Sequence, residues 1–575
     1  MELGVVLSHA TSVLEDAITS FRCLGNDLRP MHFTDTPLYL CRSKMEATGH
    51  GRGLRLTIPS KPQDLDKKLS RISLPPRESH NTIPTLVGAL PDHVLSLVLE
   101  QACVIQAEPV SSPWNHSSVF YGFCTFSGPT ARALSGVCRL WRSLLLSNPI
   151  VWSDVCMTVK SPENLKWLEI CLTRSASSPA GCTIQIDQPG QIPEVEVTKV
   201  ISSFPFNIRY LKIKPGTEKG CGFLVLKMKN LERLHVSADT NASGFTYIPT
   251  ASHLTKLRAV ILQNLPAVPH NVFFNITGLT LTNITFPVAN LVDVFQANQT
   301  LEIVRINNTP VAEDLAGRTV SLPSLKLLCI SHSSPLAVLR MLSPLPLTSR
   351  VIIHDHPTTL ATSGISNVFH PSLIFGPNSP FLSASISMLL GEALVTFGTF
   401  TGATVEIIAQ ADPVGADHRS EFYLFLSALS EWKPFSDLDS LHLRIERGAV
   451  WPITLSLIRA LLSRVPRITH LSFEGHALCF LIGQALNVMR SYGMICTKLN
   501  RLDGTLHPND RITESIRSLS DALKIRPNIR EVALYALLQE EKVEEVIAEV
   551  HPLMIEIESY GVNEVSFTPT IDQQE

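Results

Sequence analysis

The sequence predicts an α/β fold in which a small helical module is followed by an irregular solenoid of short strands and helices. Three observations predict this fold. A short apolar frame recurs between residues 205 and 536, a dense apolar segment with helical spacing precedes it, and apolar residues make up 45% of the 575-residue chain. Because only 17% of the residues are charged, most of the chain is expected to form packed structure.

The first 85 residues are predicted to contain a helix and a linker. Apolar residues recur at helical spacing from Leu3 to Phe21, so residues 1–41 are expected to contain one amphipathic helix. Residues 42–85 are rich in Lys, Arg, Pro, Ser and Gly, a composition that is typical of a disordered linker. Its basic residues could contact an anionic surface, but they lack interleaved aromatic residues, which favours a solvated linker.

The composition excludes several classes of protein. The 48 basic and 51 acidic residues leave a net charge of -3, which does not favour a nucleic-acid partner. The twelve cysteines form no CxxC pair, so we expect buried thiols in a reduced compartment. Glu2, Glu15 and Asp16 interrupt the N-terminal apolar run, and prolines interrupt the longest uncharged stretch. We therefore expect a cytoplasmic or nuclear protein without a membrane partner.

Residues 86–157 are predicted to form a compact helical module with an insertion at 104–128. Pro91 and Asp92 mark the start of a first helix, and Asn148 followed by Pro149 ends a second one. The apolar stripes of the two helices contain Val94, Leu95, Val98, Leu99, Leu134, Val137, Cys138, Trp141, Leu144 and Leu145. So short a segment cannot bury this much apolar surface alone, which favours a binding partner.

A connecting helix and strand unit at 158–204 is expected to lead into the solenoid at 205–536. In the solenoid, apolar residues occupy positions 1, 4 and 6 of a recurring frame. The first six frames are Ile208-Leu211-Ile213, Leu231-Leu234-Val236, Leu254-Leu257-Ala259, Ile276-Leu279-Leu281, Leu301-Val304-Ile306 and Leu325-Leu328-Ile330. Their first positions lie 23, 23, 22, 25 and 24 residues apart, a period typical of leucine-rich repeats. We predict that these strands lie side by side in one parallel sheet.

The register of the frame is blurred between residues 350 and 437, where strands are expected at 351–353 and 405–407 and a helix at 420–432. The frame returns with a longer period at Leu438, Ile468, Leu499 and Ile529, and amphipathic helices separate these positions. Residues 537–575 are expected to form an acidic capping helix and a tail, because a solenoid needs a polar end.

The helical module resembles the F-box, which opens with Leu-Pro and continues with V-C-R-x-W-R and P-x-x-W. The matching residues are Leu90, Pro91, Val137, Cys138, Arg139, Trp141, Arg142, Pro149 and Trp152. With the W-L-x-x-x-L-x-R-S run at 167–175, the chain is similar to the large F-box family of mushroom-forming fungi. The resemblance implies an adaptor of a cullin (SCF-type) ubiquitin ligase, which docks the Skp-type linker subunit and holds a protein substrate on its repeats.

The resemblance also implies which residues bind the linker subunit. These are Leu90, Pro91, Val94, Leu95, Val98, Leu134, Val137, Trp141, Pro149 and Trp152. The sequence departs from a compact F-box in the insertion at 104–128 and in Leu140, which stands where a second basic residue is common. The alternative is therefore a leucine-rich-repeat interaction scaffold that works outside a ligase, with a decayed F-box.

The substrate is expected to bind the concave face that the strands form, because alternate strand residues point away from the core. The outward positions considered for this role are Lys212, Arg233, His235, Thr280 and Arg305. The competing interpretation is that each of them is only a solvated strand residue.

No enzyme, cofactor or metal is expected, because the chain contains no GxSxG, HExxH or GxxxxGK[ST] pattern. His354-Asp355-His356 is the nearest metal-like cluster, and it lacks a third ligand nearby in the sequence, which favours a surface turn. Asn264, Asn283 and Asn307 at strand ends are interpreted as turn residues that satisfy backbone groups.

Overall fold

The computed structural model describes the chain from residue 91 to residue 571, with gaps. The described ranges are 91–105, 125–126, 131, 134–159, 161–178, 182–187, 194–204, 208–214, 228–237, 254–265, 275–284, 288–310, 319–333, 335–342, 344–362, 374–376, 380–389, 392–410, 418–430, 437–445, 453–475, 477–487, 495–507 and 511–571. The helix predicted at 1–41 and the linker predicted at 42–85 lie outside these residues.

The described chain contains twelve α-helices and nineteen strands. The helices are α1 (Asp92–Cys103), α2 (Arg139–Ser147), α3 (Pro162–Ser175), α4 (Glu194–Ser202), α5 (Val288–Ala297), α6 (Pro335–Leu342), α7 (Pro357–Thr362), α8 (His418–Ser430), α9 (Leu455–Ser463), α10 (Leu478–Asn487), α11 (Ile512–Leu523) and α12 (Val543–Ser559). The strands are β1 (Val104–Ile105), β2 (Thr125–Phe126), β3 (Asp154–Thr158), β4 (Cys182–Asp187), β5 (Ile208–Lys214), β6 (Arg233–Ser237), β7 (Ala259–Gln263), β8 (Gly278–Thr282), β9 (Ile303–Asn307), β10 (Leu327–Ser331), β11 (Arg350–Asp355), β12 (Phe381–Leu389), β13 (Glu392–Thr399), β14 (Thr404–Gln410), β15 (Ser440–Ile445), β16 (His470–Glu474), β17 (Arg501–Leu506), β18 (Glu531–Leu538) and β19 (Glu564–Ile571). Short 3-10 turns occupy Pro149–Trp152 and Glu540–Lys542.

The strands from β3 to β19 form one row with two ends. From β3 to β11 each strand pairs in parallel with the next one in the sequence. The row then continues β11, β14, β13, β12, β15 and runs in parallel to β19. The predicted parallel sheet of β5 to β10 is therefore confirmed.

The core row of the sheet follows the predicted apolar frame, with one correction. Leu211 pairs with Leu234, which pairs with Val260 and not with Leu257. Leu257 lies in the turn before β7, where its amide donates to the carbonyl of Leu254, and is buried there. The third frame is therefore Leu257-Val260-Leu262, three residues later than the predicted Leu254-Leu257-Ala259. Both sets of residues have the apolar spacing of the frame.

The helices bury their apolar faces against this same side of the sheet. Buried residues of α5, α6, α8, α9, α10 and α11 belong to one hydrophobic cluster with the core-facing residues of the strands. Side chains at the alternating strand positions are partly exposed, as in β9 and β10. We call this second side of the sheet the open face. Among the described residues, no helix is long and apolar enough to cross a membrane.

A hairpin interrupts the repeats where the sequence pattern is blurred. The strands β12 and β13 are antiparallel, and β13 is also antiparallel to β14. They enter the sheet between β14 and β15, so β11 pairs directly with β14 across 49 residues of sequence, from Asp355 to Thr404. The strands predicted at 351–353 and 405–407 and the helix predicted at 420–432 correspond to β11, β14 and α8.

A ladder of asparagines closes the turns after successive strands. Asn264, Asn283 and Asn308 adopt positive φ angles of 57°, 53° and 44°, a conformation that Asn tolerates better than most residues. The side-chain amide of Asn283 donates to Asn264 at 2.6 Å, and that of Asn308 donates to Asn283 at 2.7 Å. The turn role predicted for Asn264 and Asn283 is correct, but the third member is Asn308 and not Asn307, which lies on the open face.

The sheet extends beyond both boundaries that the sequence predicts. It begins at β3, inside the segment 86–157 assigned to the helical module, and β4 lies in the connecting unit 158–204. At the other end, the acidic helix α12 is not the last element, because β19 pairs in parallel with β18. Pro569 in β19 lacks a backbone N–H, which suits an edge strand. The insertion at 104–128 is partly described, and β1 pairs antiparallel with β2.

Candidate functional site

The five residues predicted to face a substrate all lie on the open face. Lys212 pairs across the sheet with His235, and Thr280 pairs with Arg305. Arg233 lies in the neighbouring row of β6. Their sequence neighbours in each strand are core residues, so the alternation that predicted their direction is confirmed. His235 is nevertheless only 4% exposed, which limits its availability to a partner.

A groove of about 540 Å³ lies on the open face between β8 and the hairpin. Thr280 and Arg305 contribute to its lining, so the structure brings two of the five predicted residues into one site. The remaining lining comes from β8 to β11, the turn after β10, the end of β12, β13 and β14. Its other members are Thr282, Ile306, Asn307, Cys329, Ser331, His332, Arg350, Ile352, His354, Leu389, Glu392, Leu394, Glu406 and Ile408.

An ion pair joins β11 and β14, which are neighbours in the sheet although the hairpin separates them in the sequence. Arg350 on β11 donates from Nε and Nη2 to the two carboxylate oxygens of Glu406 on β14, at 2.6 and 2.7 Å. The hydrogen bond to Glu406 raises the pKa of Arg350. Because both ends of the fork are engaged, this pair fixes the wall of the groove and leaves neither charge free to select a ligand.

His354 and Asp355 lie at the end of β11 and are buried, so the surface turn predicted for His354-Asp355-His356 is wrong. His354 lies 2.8 Å from Gln410 through Nε2, and its ring packs edge-on against His332 with centroids 4.9 Å apart. His356 points elsewhere, with Nδ1 2.8 Å from the hydroxyl of Thr358. No group of three metal-ligating side chains occurs in the described part of the chain. The two histidines therefore do not converge on one ion.

Charge is distributed unevenly along the open face. From β5 to β11 the charged side chains that the structure describes there are Lys212, Arg233, Arg305 and Arg350, all basic. From β15 to β19 opposite charges alternate, as in the pairs Arg444 with Glu474 and Arg501 with Glu531. The open face beside the groove is thus positive on the side of β5 to β9.

We expect acid to destabilise the protein through two buried histidines of the open face. Burial lowers the pKa of His235 to about 4, and burial lowers that of His354 to about 4 as well. In the unfolded chain a histidine has a pKa of about 6.5. Between this pH and about 4 the unfolded chain therefore binds more protons than the folded one, so stability falls as the pH falls.

The expected loss is on the order of 2 kcal/mol for each ring. Unfolding midpoints measured between pH 7.5 and 4.5 should fall less steeply in His235→Gln and His354→Gln than in the original chain. His551→Gln, which changes an exposed histidine on α12, serves as the control. Identical pH profiles for all four proteins would contradict this attribution.

The helical module packs through Trp152 onto β3 and α3, which together form the first repeat of the sheet. The indole of Trp152 donates to the carbonyl of Leu145 at 2.7 Å, and its ring packs edge-on against Trp167 of α3. The guanidinium of Arg174 lies 4.5 Å above the same ring, a cation–π geometry. The turn is also tied to α1, because the side chain of Asn148 donates to Glu100 at 3.1 Å.

These contacts correct part of the predicted linker-binding set. Leu95 and Trp152 are only 1% and 2% exposed, so their side chains stabilise the chain's own interior. Val94, Val98, Leu134, Trp141 and Pro149 are partly exposed, Pro91 and Val137 are exposed, and Leu90 lies outside the described residues.

Exposed apolar side chains on the module were partly missed by the sequence pattern. They are Leu97 (59% exposed), Val137 (46%), Leu140 (40%) and Leu146 (39%). Of these, only Val137 belongs to the predicted set. Leu97 lies on α1, and Leu140 and Leu146 lie on α2, each on the side of its helix away from the buried Leu99 or Leu145. Their exposure can be predicted only when the buried side of each helix is known.

No protein-family model matches the chain, and no curated protein matches it. The chain is similar to the crystal structure of the leucine-rich repeat-containing protein LegL7 from Legionella pneumophila, with 12% identity and a TM-score of 0.20 over 68% of this chain and 94% of that one. The fold assignment given above rests on the strand register and not on this similarity.

Proposed function

We propose that the chain is an adaptor that holds two proteins at once, and specifically a substrate-recruiting subunit of a cullin-RING ubiquitin ligase. The helical module docks the Skp-type linker subunit, and the open face of the sheet holds a protein substrate. The observation that carries this proposal is the exposed apolar set of the module, made of Leu97, Val137, Leu140 and Leu146.

These side chains lie on a module whose own core is already formed. Leu95, Leu99 and Leu145 are buried inside it, and Trp152 anchors it to α3. Twelve large apolar side chains of the described residues are exposed, and four of them lie on this short module. Exposed apolar groups concentrated on one small element favour a protein-binding role. The similarity of the module's sequence to the F-box supports the linker subunit as the partner.

In this proposal the chain performs no chemistry itself. Holding the substrate beside a charged conjugating enzyme replaces a bimolecular encounter with one at high effective concentration. The continuous ladder of strands from β3 to β19 supports this role, because it connects the module to the groove through paired backbone. The proposed location is the cytoplasm or the nucleus, where a ubiquitin ligase would meet its substrates.

The test measures binding of purified Skp-type linker subunit to the full chain. The double variant Val137→Asp with Leu140→Asp should weaken binding by about 100-fold, because each side chain would lose on the order of 1.5 kcal/mol of apolar contact. The control variant, Leu347→Asp with Ile555→Asp, changes two side chains of similar exposure outside the module, in the turn before β11 and on α12. It should bind as the original chain does.

Linker binding that is unaffected by the module variant would show that the module is not the docking surface. If the original chain itself does not bind the linker subunit, the ligase role is wrong, and the alternative of a repeat scaffold with a decayed F-box takes its place.

A further inference from the structure

The basic side of the open face leads directly into the groove. Lys212 on β5 and Arg305 on β9 lie in the same row, which continues through Cys329 and Ile352. Arg233 lies beside this row on β6. From β5 to β10, no acidic side chain faces this side among the residues whose side chains the structure describes.

The cations of this surface are only partly solvated. Arg233 and Arg305 are neither fully buried nor fully exposed, and burial lowers the pKa of Arg233. A guanidinium that has already lost part of its hydration gains more from an incoming carboxylate than a fully solvated one does, because the local dielectric constant is lower. The surface therefore favours carboxylate groups of a ligand.

The far part of the groove is apolar. Ile352 on β11 and Ile408 on β14 are almost fully buried, and Leu394 on β13 lies next to Ile408 in the sheet. Glu392 stands on this same side, whereas the charge of Glu406 is paired with Arg350, so an additional acidic group of a ligand would be repelled by Glu392. An aliphatic side chain is the group that this part of the groove fits.

Strand spacing sets the distance between the two kinds of contact. Neighbouring strands lie about 4.8 Å apart, so β5 and β9 are separated by about 19 Å and β9 and β14 by about 14 Å. An extended peptide advances about 3.3 Å per residue. A peptide that crosses the strands would therefore need about six residues for the first interval and about four for the second.

We propose that the groove and strands β5 to β9 bind an extended protein segment that carries acidic residues at one end and an aliphatic residue about ten positions away. The acidic residues contact Lys212, Arg233 and Arg305, and the aliphatic side chain enters the groove against Ile352, Ile408 and Leu394. This inference rests on the proposed function, because it names the class of substrate that the adaptor would hold.

The lining of the groove favours a peptide over a single-stranded nucleic acid. No Phe, Tyr or Trp side chain belongs to the groove lining in the part of the chain that the structure describes, so bases would lack their usual stacking partners. The carboxylate of Glu392 would also repel phosphate groups. The open face thus combines a positive region with an apolar one that a polyanion does not use.

The test uses a fluorescein-labelled peptide of about 14 residues and the full chain in fluorescence anisotropy. The peptide has acidic residues at positions 1, 2 and 7, leucine at position 11, and serine or glycine elsewhere. It is measured in this order and in reverse, because the direction of binding is open. The controls are a peptide with amides in place of the carboxylates, a peptide with serine in place of leucine, and a single-stranded oligothymidylate of equal length.

The expected result is saturable binding of one of the two acidic peptides, weakened by about tenfold or more in each control peptide. Arg305→Glu combined with Arg233→Glu should weaken it by a similar factor, and so should Leu394→Ser. The milder variant Arg305→Gln, with a smaller loss, keeps the test informative if the reversal unfolds the protein. Lys256→Glu reverses an exposed charge in the turn before β7 and should leave binding within about twofold.

Three results would overturn the inference: no binding of either acidic peptide, binding that ignores the open-face variants, or tighter binding of the oligothymidylate. Linker-subunit binding is measured on the same samples. If linker binding persists while the peptide does not bind, the inference fails and the proposed function stands. If the peptide binds while the linker subunit does not, the groove assignment stands without the ligase role.

Discussion

Trp152→Ala should release the helical module from the first repeat, at a cost of about 3–5 kcal/mol in the free energy of local opening. The substitution removes the edge-on contact with Trp167, the cation–π contact with Arg174 and the hydrogen bond to Leu145 at once. Hydrogen exchange at the amides of α2 reports this opening directly. We expect those amides to exchange far faster while the amides of β15 to β18 stay protected.

Two comparisons make this prediction specific. Trp152→Phe keeps a buried aromatic ring but loses the indole N–H, so it should give an intermediate effect. Leu146→Ala changes an exposed residue of the same module and should alter protection by less than about 0.5 kcal/mol. Equal exchange in α2 for Trp152→Ala and Leu146→Ala would show that the module is not held by Trp152.

Arg526→Ala should destabilise the C-terminal repeats by about 3 kcal/mol. Arg526 is 1% exposed. Its guanidinium donates to the carbonyl of Leu486, near the C-terminal end of α10, and to the carbonyl of Ile495, in the turn before β17. Its removal leaves both carbonyls without this donor and opens a cavity between α10 and the turn after α11. Burial of the guanidinium costs desolvation free energy and also lowers the pKa of Arg526. The alanine variant avoids this cost, but that gain offsets only part of the lost stability.

The matched control for this prediction is Arg530→Ala, which removes an exposed arginine four residues later in the same turn. Chemical denaturation followed by far-ultraviolet circular dichroism compares the two variants with the original chain. The midpoint should fall clearly for Arg526→Ala and hardly change for Arg530→Ala. Similar midpoints for both variants would indicate that the buried guanidinium is not a structural tie.

The sequence pattern predicts the regular repeats well, because their packing is local and repeated. Leu441, Leu471, Leu502 and Val532 occupy the same position of successive frames, and they pair in register in the sheet. The helices between these strands begin and end near capping residues and prolines that can be identified in the sequence. Thr454, for example, is the N-cap residue of α9.

The hairpin is different, because its strand partners are set by long-range pairing. The alternation of apolar residues in Phe381–Leu389 suits a parallel or an antiparallel strand equally well. Only the pairing of β11 with β14 decides that the hairpin is inserted between β14 and β15.

The sequence likewise predicted the part of the candidate site that the regular repeats form, but not the part that depends on long-range strand pairing. Thr280 and Arg305 follow from the alternation of the repeats. Glu392 and Leu394 reach the groove only through the hairpin, and Ile408 only through the pairing of β14 with β11. On the helical module, Leu95 belongs to the apolar stripe, and the resemblance to the F-box implied that it binds the linker subunit. A stripe alone does not distinguish an interior face from a docking face, and the burial of Leu95 resolves this case.

We propose that one chain holds two protein partners at separate surfaces, and a three-component binding measurement tests this proposal most directly. The acidic peptide is titrated into the full chain in the absence and presence of saturating Skp-type linker subunit, and the mass of the complex is measured by light scattering. We expect one copy of each partner per chain and a peptide dissociation constant that changes by less than about twofold. Displacement of the peptide by the linker subunit, or no ternary complex although each partner binds alone, would contradict the account.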